Sequence, residues 1–473
     1  MLQSFRSASI ASTFLAALSA GTFLSSPLYA EAPKPAPGLN KINHIIVIYL
    51  ENRSFDNLYG MFPGANGIAN AGDAATQIDK EGKVYAVLPP VLNSNRKTAD
   101  GKYSIDTRFP TDLPNKPYRS ETFANIEQVT GDAWHRYYQE QLQINDGKMN
   151  KFVAWSDAGS LVMSYYDGSR LPLWEYAKKY VVMDNFFHAA FGGSFLNHFY
   201  LVCGCAPVYH NAPSNLVAQL DENGALVKDG AVTPDGFAVN TLQPINGPHS
   251  ASITDPAQLL PLQDAPNIGT RLSEKGVSWA WYSGGWNDAV AGHPDPEFQF
   301  HHQVFAMFKD TAVGTPGAKA HLKDELDLVK GIHTGKLPKV VFFKPLGEDN
   351  EHPGYTNVTS GEHHTVELLR MIEKSPIWKD SVVIITYDEN GGLWDHVAPP
   401  KIDKWGPGTR VPTLLISPFA KKGFVDHTQY DTTSILKLIE TRWGLEPLGT
   451  RDGGANDLSN ALDLGVGKSA ALR

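Results

Sequence analysis

The stretch SVVIITYDEN, residues 381–390, decides how this chain reads. Five β-branched residues follow one another from Val382 to Thr386, with no polar alternation. Such a run suits a strand covered on both faces, as in a parallel sheet with helices on either side. Acidic and amide side chains begin where it ends, with Asp388, Glu389 and Asn390. The same arrangement occurs near the start, where HIIVIYL at 44–50 is followed by Glu51 and Asn52. Four more runs read as buried strands, at 180–183, 277–282, 339–343 and 411–416. Residues 364–374 place Val366, Leu369 and Ile372 on one helical side, and 432–443 and 121–143 also predict helices. Strands alternating with helices give the α/β class. The segments 65–109 and 206–268 are rich in Gly, Pro, Asn and Asp and lack sustained periodicity, which predicts insertions serving as lids or small subdomains.

Residues 1–30 hold one charged side chain, Arg6, then an apolar stretch from Ile10 to Leu24 and a small-residue end at Ala30. This is the pattern of a secretory signal peptide. Ser12, Thr13, Ser19 and Thr22 dilute the stretch below what a membrane span requires. The expectation is a periplasmic or secreted product, a single domain over 31–473, with no transmembrane anchor after cleavage. Loss of Arg6 takes the formal net charge from −9 to −10, and no basic cluster stands out, so nucleic acid is not an expected partner. Cys203 and Cys205 are one residue apart, which makes a bridge between them geometrically awkward, so two small buried thiols are expected.

Ligand sites of open α/β sheets lie beyond the carboxyl ends of the strands. If the strands 44–50 and 381–387 are neighbours, Glu51, Asn52, Asp388 and Glu389 converge there. Carboxylates that close repel unless a cation stands among them. No basic neutraliser is evident at these strand ends, so the set suggests one divalent ion held by oxygen, whether calcium, magnesium, manganese or zinc. Each piece alone also has a plain reading as turn or helix-capping chemistry. Gly192-Gly193-Ser194 lets backbone approach a ligand closely, and a serine beside a metal can become a nucleophile; the bland alternative is a serine N-cap after a glycine turn. Among sixteen histidines, His135, the pair His301 and His302, and His352 sit in polar, aromatic contexts suited to binding phosphate oxygens or moving a proton.

Taken in order, these segments resemble the bacterial acid phosphatase and phospholipase C family of the alkaline phosphatase-like superfamily. The resemblance rests on Glu51-Asn52-Arg53-Ser54-Phe55-Asp56, on Thr130-Gly131-Asp132-Ala133-Trp134-His135, and on Gly192-Gly193-Ser194-Phe195-Leu196-Asn197-His198. It continues through Phe298-Gln299-Phe300-His301-His302, His352-Pro353-Gly354-Tyr355, Tyr387-Asp388-Glu389-Asn390-Gly391-Gly392 and Trp394-Asp395-His396-Val397. It implies an alkaline phosphatase-like, mostly parallel central sheet between helices, and a metal held by Glu51, Asn52, Ser194, Asp388 and Glu389. It further implies Ser194 as nucleophile, forming a phosphoseryl intermediate. His135, His301, His302 and His352 would bind phosphate or protonate the leaving group, and Asp395 and His396 would support the site from behind.

The expected activity is metal-dependent hydrolysis of phosphomonoesters, with small phosphorylated substrates as partners. The serine at the nucleophile position and the absence of a long segment after the last motif favour that choice. The alternative is a phospholipase C acting on phosphatidylcholine-type phosphodiesters, with phospholipid head groups as partners. A third reading, of another class, is a non-catalytic periplasmic protein that binds phosphorylated ligands.

Overall fold

The computed structural model describes residues 37–465; the expected signal segment, 1–30, lies outside them. The apolar runs assemble into an eight-stranded sheet. In chain order its strands are β1 (His44–Leu50), β2 (Val181–Met183), β3 (Trp279–Ser283), β4 (Leu322–Asp324), β5 (Val340–Lys344), β6 (Ser381–Tyr387), β7 (Thr413–Ile416) and β8 (Phe424–Asp426). They lie side by side in the order β4-β3-β5-β1-β6-β7-β2-β8. Only β7 runs against its neighbours, so the sheet is mostly parallel, as the unbroken β-branched runs predict. β1 and β6 have the bounds read from sequence; β7 starts two residues later, after Pro412, which has no N–H to give a ladder. The sequence reading missed β4 and β8. Each is three residues long, too short to show a pattern, and they form the two edges.

Register sets the site. Leu50 of β1 pairs with Tyr387 of β6, and Ile48 with Phe343 of β5. Glu51 and Asp388 therefore leave the sheet side by side, with Lys344 ending the strand on the other flank. The sheet is covered on both faces. On one, Tyr49 Oη donates to the Asn197 carbonyl at 3.3 Å, in the helix Ser194–Cys203. On the other, Tyr387 Oη donates to Glu351 Oε2 at 2.8 Å, on the side where the helix Val358–Lys374 packs against the helix Pro172–Lys179. A second, smaller core gathers Leu88, Val91, Phe109, Phe152 and Met163 beside Trp394. Among the described residues no helix is long and apolar enough to cross a membrane.

Two sequence expectations give way. The helix expected over 121–143 forms only at Tyr137–Ile144, apart from one 3-10 turn at Ser120–Thr122. Upstream, side chains take the N–H groups a helix would need: Ser94 Oγ accepts from Asp132 at 2.7 Å, Asp132 Oδ1 from Ala133, and Asp157 Oδ1 from Trp134, both at 2.8 Å. The chain runs on extended and delivers His135 to the cleft. Second, Cys203 and Cys205 form a disulfide instead of standing as free thiols. Gly204 ends the helix Ser194–Cys203 in the left-handed region at φ 58°, and that turn brings the two Cα atoms to 5.2 Å, within bridging range.

Candidate active site

The nine residues given catalytic or metal-holding roles from sequence come together at the carboxyl ends of β1, β5 and β6. Glu51, Ser194, His135, His301 and His352 line an open cleft with Asp132, Arg136, Asn240 and Tyr355. His302, Asn52, Asp388 and Glu389 are buried around its floor. Ser194 begins the helix Ser194–Cys203, but Gly193 is the N-cap residue, and the serine hydroxyl donates instead to Glu51 Oε1 at 3.3 Å. The capping alternative is thereby removed. Gly192 adopts φ +89°, and a Cβ there would sit 2.5 Å from the Tyr137 nitrogen, so the glycine is required for this approach.

Asn52 is held in the left-handed region at φ 62°, uncommon for any residue but glycine. There its N–H donates to Asp388 Oδ1 at 3.1 Å. Its amide nitrogen lies 2.9 Å from His352 Nε2 and 3.4 Å from His135 Nε2. The opposite ring nitrogens face backbone carbonyls, Ala133 O at 2.6 Å for His135 and Pro353 O for His352. Protons on both Nδ1 atoms satisfy those carbonyls and leave each Nε2 to accept from Asn52. Asn52 Oδ1, turned the other way, has no partner. Asp388 Oδ2 and Glu389 Oε1 are likewise buried without a hydrogen bond. Buried oxygens without a hydrogen bond on three residues of the expected ligand set are of the donor type a hard cation takes, and one of them, Asp388 Oδ2, also faces the Lys344 ammonium at 3.5 Å. Nitrogen donors stand close as well, since Glu51, His301 and His302 cluster, as do Asp132, His135 and His352. The immediate surroundings are thus mixed in donor type, where the sequence suggests oxygen alone.

The expectation of no basic neutraliser is wrong. Lys344, fully buried, places Nζ 3.6 Å from Glu51 Oε2, 3.5 Å from Asp388 Oδ2 and 3.3 Å from the Leu50 carbonyl. Asn350 Nδ2 and Tyr355 Oη also donate to Glu51 Oε2, the latter at 3.3 Å. Burial acts to raise the Glu51 carboxyl, but His302 at 2.6 Å and then Lys344 outweigh it and hold it well below the ordinary carboxylate range. Glu389 goes the other way, pushed well above that range by burial and then by the Asp388 charge. Burial also drives His301 and His198 toward the neutral imidazole, while at His302 the Glu51 charge opposes it. His198 stacks on His302 with centroids 5.1 Å apart, and its Nδ1 lies 2.7 Å from the Ser194 carbonyl. Asp395 and His396 do not reach the cleft. They join Asp56 and Arg410 in a buried ionic cluster, with Arg410 Nε 2.9 Å from Asp395 Oδ1 and His396 Nδ1 2.6 Å from Asp56 Oδ2.

Several characterised proteins are similar to this chain. Phospholipase C B of Mycobacterium tuberculosis is 25% identical, over 91% of this chain and 80% of that protein. Non-hemolytic phospholipase C of Pseudomonas aeruginosa is 23% identical over 90% of this chain and 58% of its own length. Non-specific phospholipase C3 of Arabidopsis thaliana is 23% identical, over 87% of this chain and 71% of that protein. Among solved structures, a Vibrio parahaemolyticus protein of the alkaline phosphatase superfamily aligns with a TM-score of 0.34 at 9% identity, covering 62% of this chain and 64% of the other. The profile of the phosphoesterase family matches residues 42–446, a span that runs from just before β1 to just past the helix Thr433–Trp443 and takes in every cleft residue named above. The chain belongs to the phosphoesterase family and is a phosphoric ester hydrolase.

Proposed function

We propose that the cleft hydrolyses phosphodiesters in the manner of a phospholipase C, with Ser194 as nucleophile. The observation that carries the nucleophile is the Ser194 hydroxyl directed at Glu51, in a cleft that both residues line with His135, His301 and His352. Charge supports a diester over the monoester favoured by sequence alone. Arg136 is the only Lys or Arg among the cleft-lining residues, and it is paired with Asp229; Lys344 lies between Glu51 and Asp388. Glu51 and Asp132 add negative charge to the cleft wall. An ion in the site attracts either ester; away from it, this wall repels a dianionic monoester more than a singly charged diester. The similarity to phospholipases C points the same way.

Glu51, Asn52, Asp388, Glu389 and Ser194 would hold a divalent ion, whose positive charge would lower the pKa of the serine hydroxyl and offset the negative charge of the ester. Ser194 Oγ, its proton lost to solvent, attacks phosphorus, the bond to the leaving alcohol breaks, and the departing alkoxide takes a proton from a protonated histidine. His301 is assigned this task. His302 is engaged by Glu51, while His135 and His352 accept from Asn52; His301 lines the cleft with no side-chain hydrogen bond to a described residue. Burial acts against the His301 imidazolium and the negative charge of the bound ester acts for it; His301 takes its proton from solvent before the step and gives it to the alkoxide. Water then attacks the phosphoserine, with His301 accepting its proton, and the serine is regenerated.

Parallel assays with p-nitrophenylphosphorylcholine and p-nitrophenyl phosphate test this reading. The expected kcat/KM ratio favours the diester by about tenfold or more, and Ser194→Ala loses both activities while keeping its fold. A preference for the monoester overturns the diester assignment. Stoichiometric binding without turnover by wild type in metal-supplemented buffer overturns catalysis altogether.

A further inference from the structure

The turn before Ser194 is held by a carboxylate outside the cleft. Glu140, fully buried in the helix Tyr137–Ile144, spends both oxygens on three elements. Oε2 accepts from the Gly192 N–H at 2.6 Å. Oε1 accepts from the Thr409 N–H at 3.0 Å and lies 2.8 Å from His188 Nε2. His188 is equally buried; its Nδ1 lies 2.8 Å from the Ala190 carbonyl, and its backbone N–H donates to the Thr409 carbonyl at 3.1 Å. Space is reserved for this contact, because a Cβ on Gly408 would fall 2.1 Å from His188 Cε1 and 2.6 Å from Glu140 Oε1. From the other side, Asn197 Nδ2 donates to the carbonyls of Ala190, Gly192 and Gly193 at 3.0, 3.1 and 3.2 Å. The carbonyls of the turn are thus gathered by its own helix, while the Gly192 N–H is fixed by Glu140 alone.

We propose that Glu140 is a positioning residue for the nucleophile, acting through the Gly192 amide, with His188 orienting its carboxylate. The inference rests on Ser194 being the nucleophile. Gly192 stands at φ +89°, where the neighbouring peptide planes have no side chain to lock them. A hydrogen bond from a charged acceptor supplies that lock and sets the direction in which Ser194 Oγ leaves the helix. Glu140→Gln preserves shape but offers an amide N–H₂ to one of the N–H groups, so one contact becomes donor against donor.

The test measures kcat, KM, bound metal and folded fraction for Glu140→Gln, His188→Gln and Ser194→Ala, each as the full metal-loaded enzyme. His188→Gln keeps a nitrogen donor for Glu140 and serves as the conservative variant. The expected result for Glu140→Gln, per folded molecule, is a kcat lower by about 10- to 100-fold, as misplacement of a reacting group gives, with KM and metal content near wild type. His188→Gln retains most of the activity, and Ser194→Ala is inactive. Wild-type kcat per folded molecule in Glu140→Gln overturns the proposal, as does a loss that tracks the folded fraction or the metal content. Should Glu140→Gln fail to fold, a His188→Ala variant decides: wild-type kcat there also overturns it, and a selective kcat loss sustains it. Activity in Ser194→Ala would instead discard the nucleophile itself, a separate outcome.

Discussion

Lys344 shows what one residue can do that its neighbours in sequence do not announce. It reads as the polar end of an aromatic strand, VVFFK, yet register sets it opposite Tyr49, with its ammonium between Glu51 and Asp388. Lys344→Met leaves two buried carboxylates without that cation. The expected loss of stability in the presence of chelator is about 3–5 kcal/mol, and smaller with a divalent ion that replaces the missing charge. Urea denaturation with and without EDTA measures both; equal losses would mean that Lys344 and the ion do not share these carboxylates. Glu51, Asn52, Asp388 and Glu389 were legible because each follows a strand whose apolar run ends abruptly. Lys344, Asn350 and Glu140 were not, because their importance comes from which strand or turn lies beside them, and sequence order does not carry that.

Among elements, long strands with unbroken β-branched runs were readable to the residue, and helices with one apolar side were found with uncertain starts. The helix Val358–Lys374 begins six residues before the start at 364 read from sequence, capped by Asn357 Oδ1 accepting from the Ser360 N–H at 3.0 Å. The 121–143 segment misled because side chains within it, Gln128 and Asp132, and beyond it, Ser94 and Asp157, take its backbone N–H groups. The helix Thr433–Trp443 carries a testable consequence. Burial, and then the neighbouring Asp452, raise the Glu440 carboxyl from 4.5 to about 9. The native chain therefore holds this proton more tightly than the unfolded one; the stability it confers is complete below the unfolded value and is lost as pH rises toward the native one. Glu440→Gln is uncharged throughout, so its melting temperature should match wild type near pH ~5 and exceed it near pH ~9. A difference that does not change with pH would remove Glu440 from the cause.

For the molecule as a whole, the paired strand ends make ion binding and folding stability parts of one equilibrium. An ion that binds only the folded chain stabilises it by about 2.7 kcal/mol at a hundredfold excess over its Kd. Thermal unfolding in chelator, followed by titration with calcium, magnesium, manganese and zinc separately, should raise the melting temperature for the ion that also restores hydrolysis. An ion that restores hydrolysis without shifting the transition would contradict coordination by these buried groups. The rims of the sheet bear on behaviour at high concentration. A core of such apolar strands would invite another molecule to extend it, but β4 and β8 offer only three residues each, LKD and FVD. An incoming chain finds too little free backbone to build a ladder. Replacing Lys323 of β4 with valine would make that rim more apolar, and the consequence to expect is association between copies, visible as a rise in light scattering while hydrolysis per folded molecule is retained.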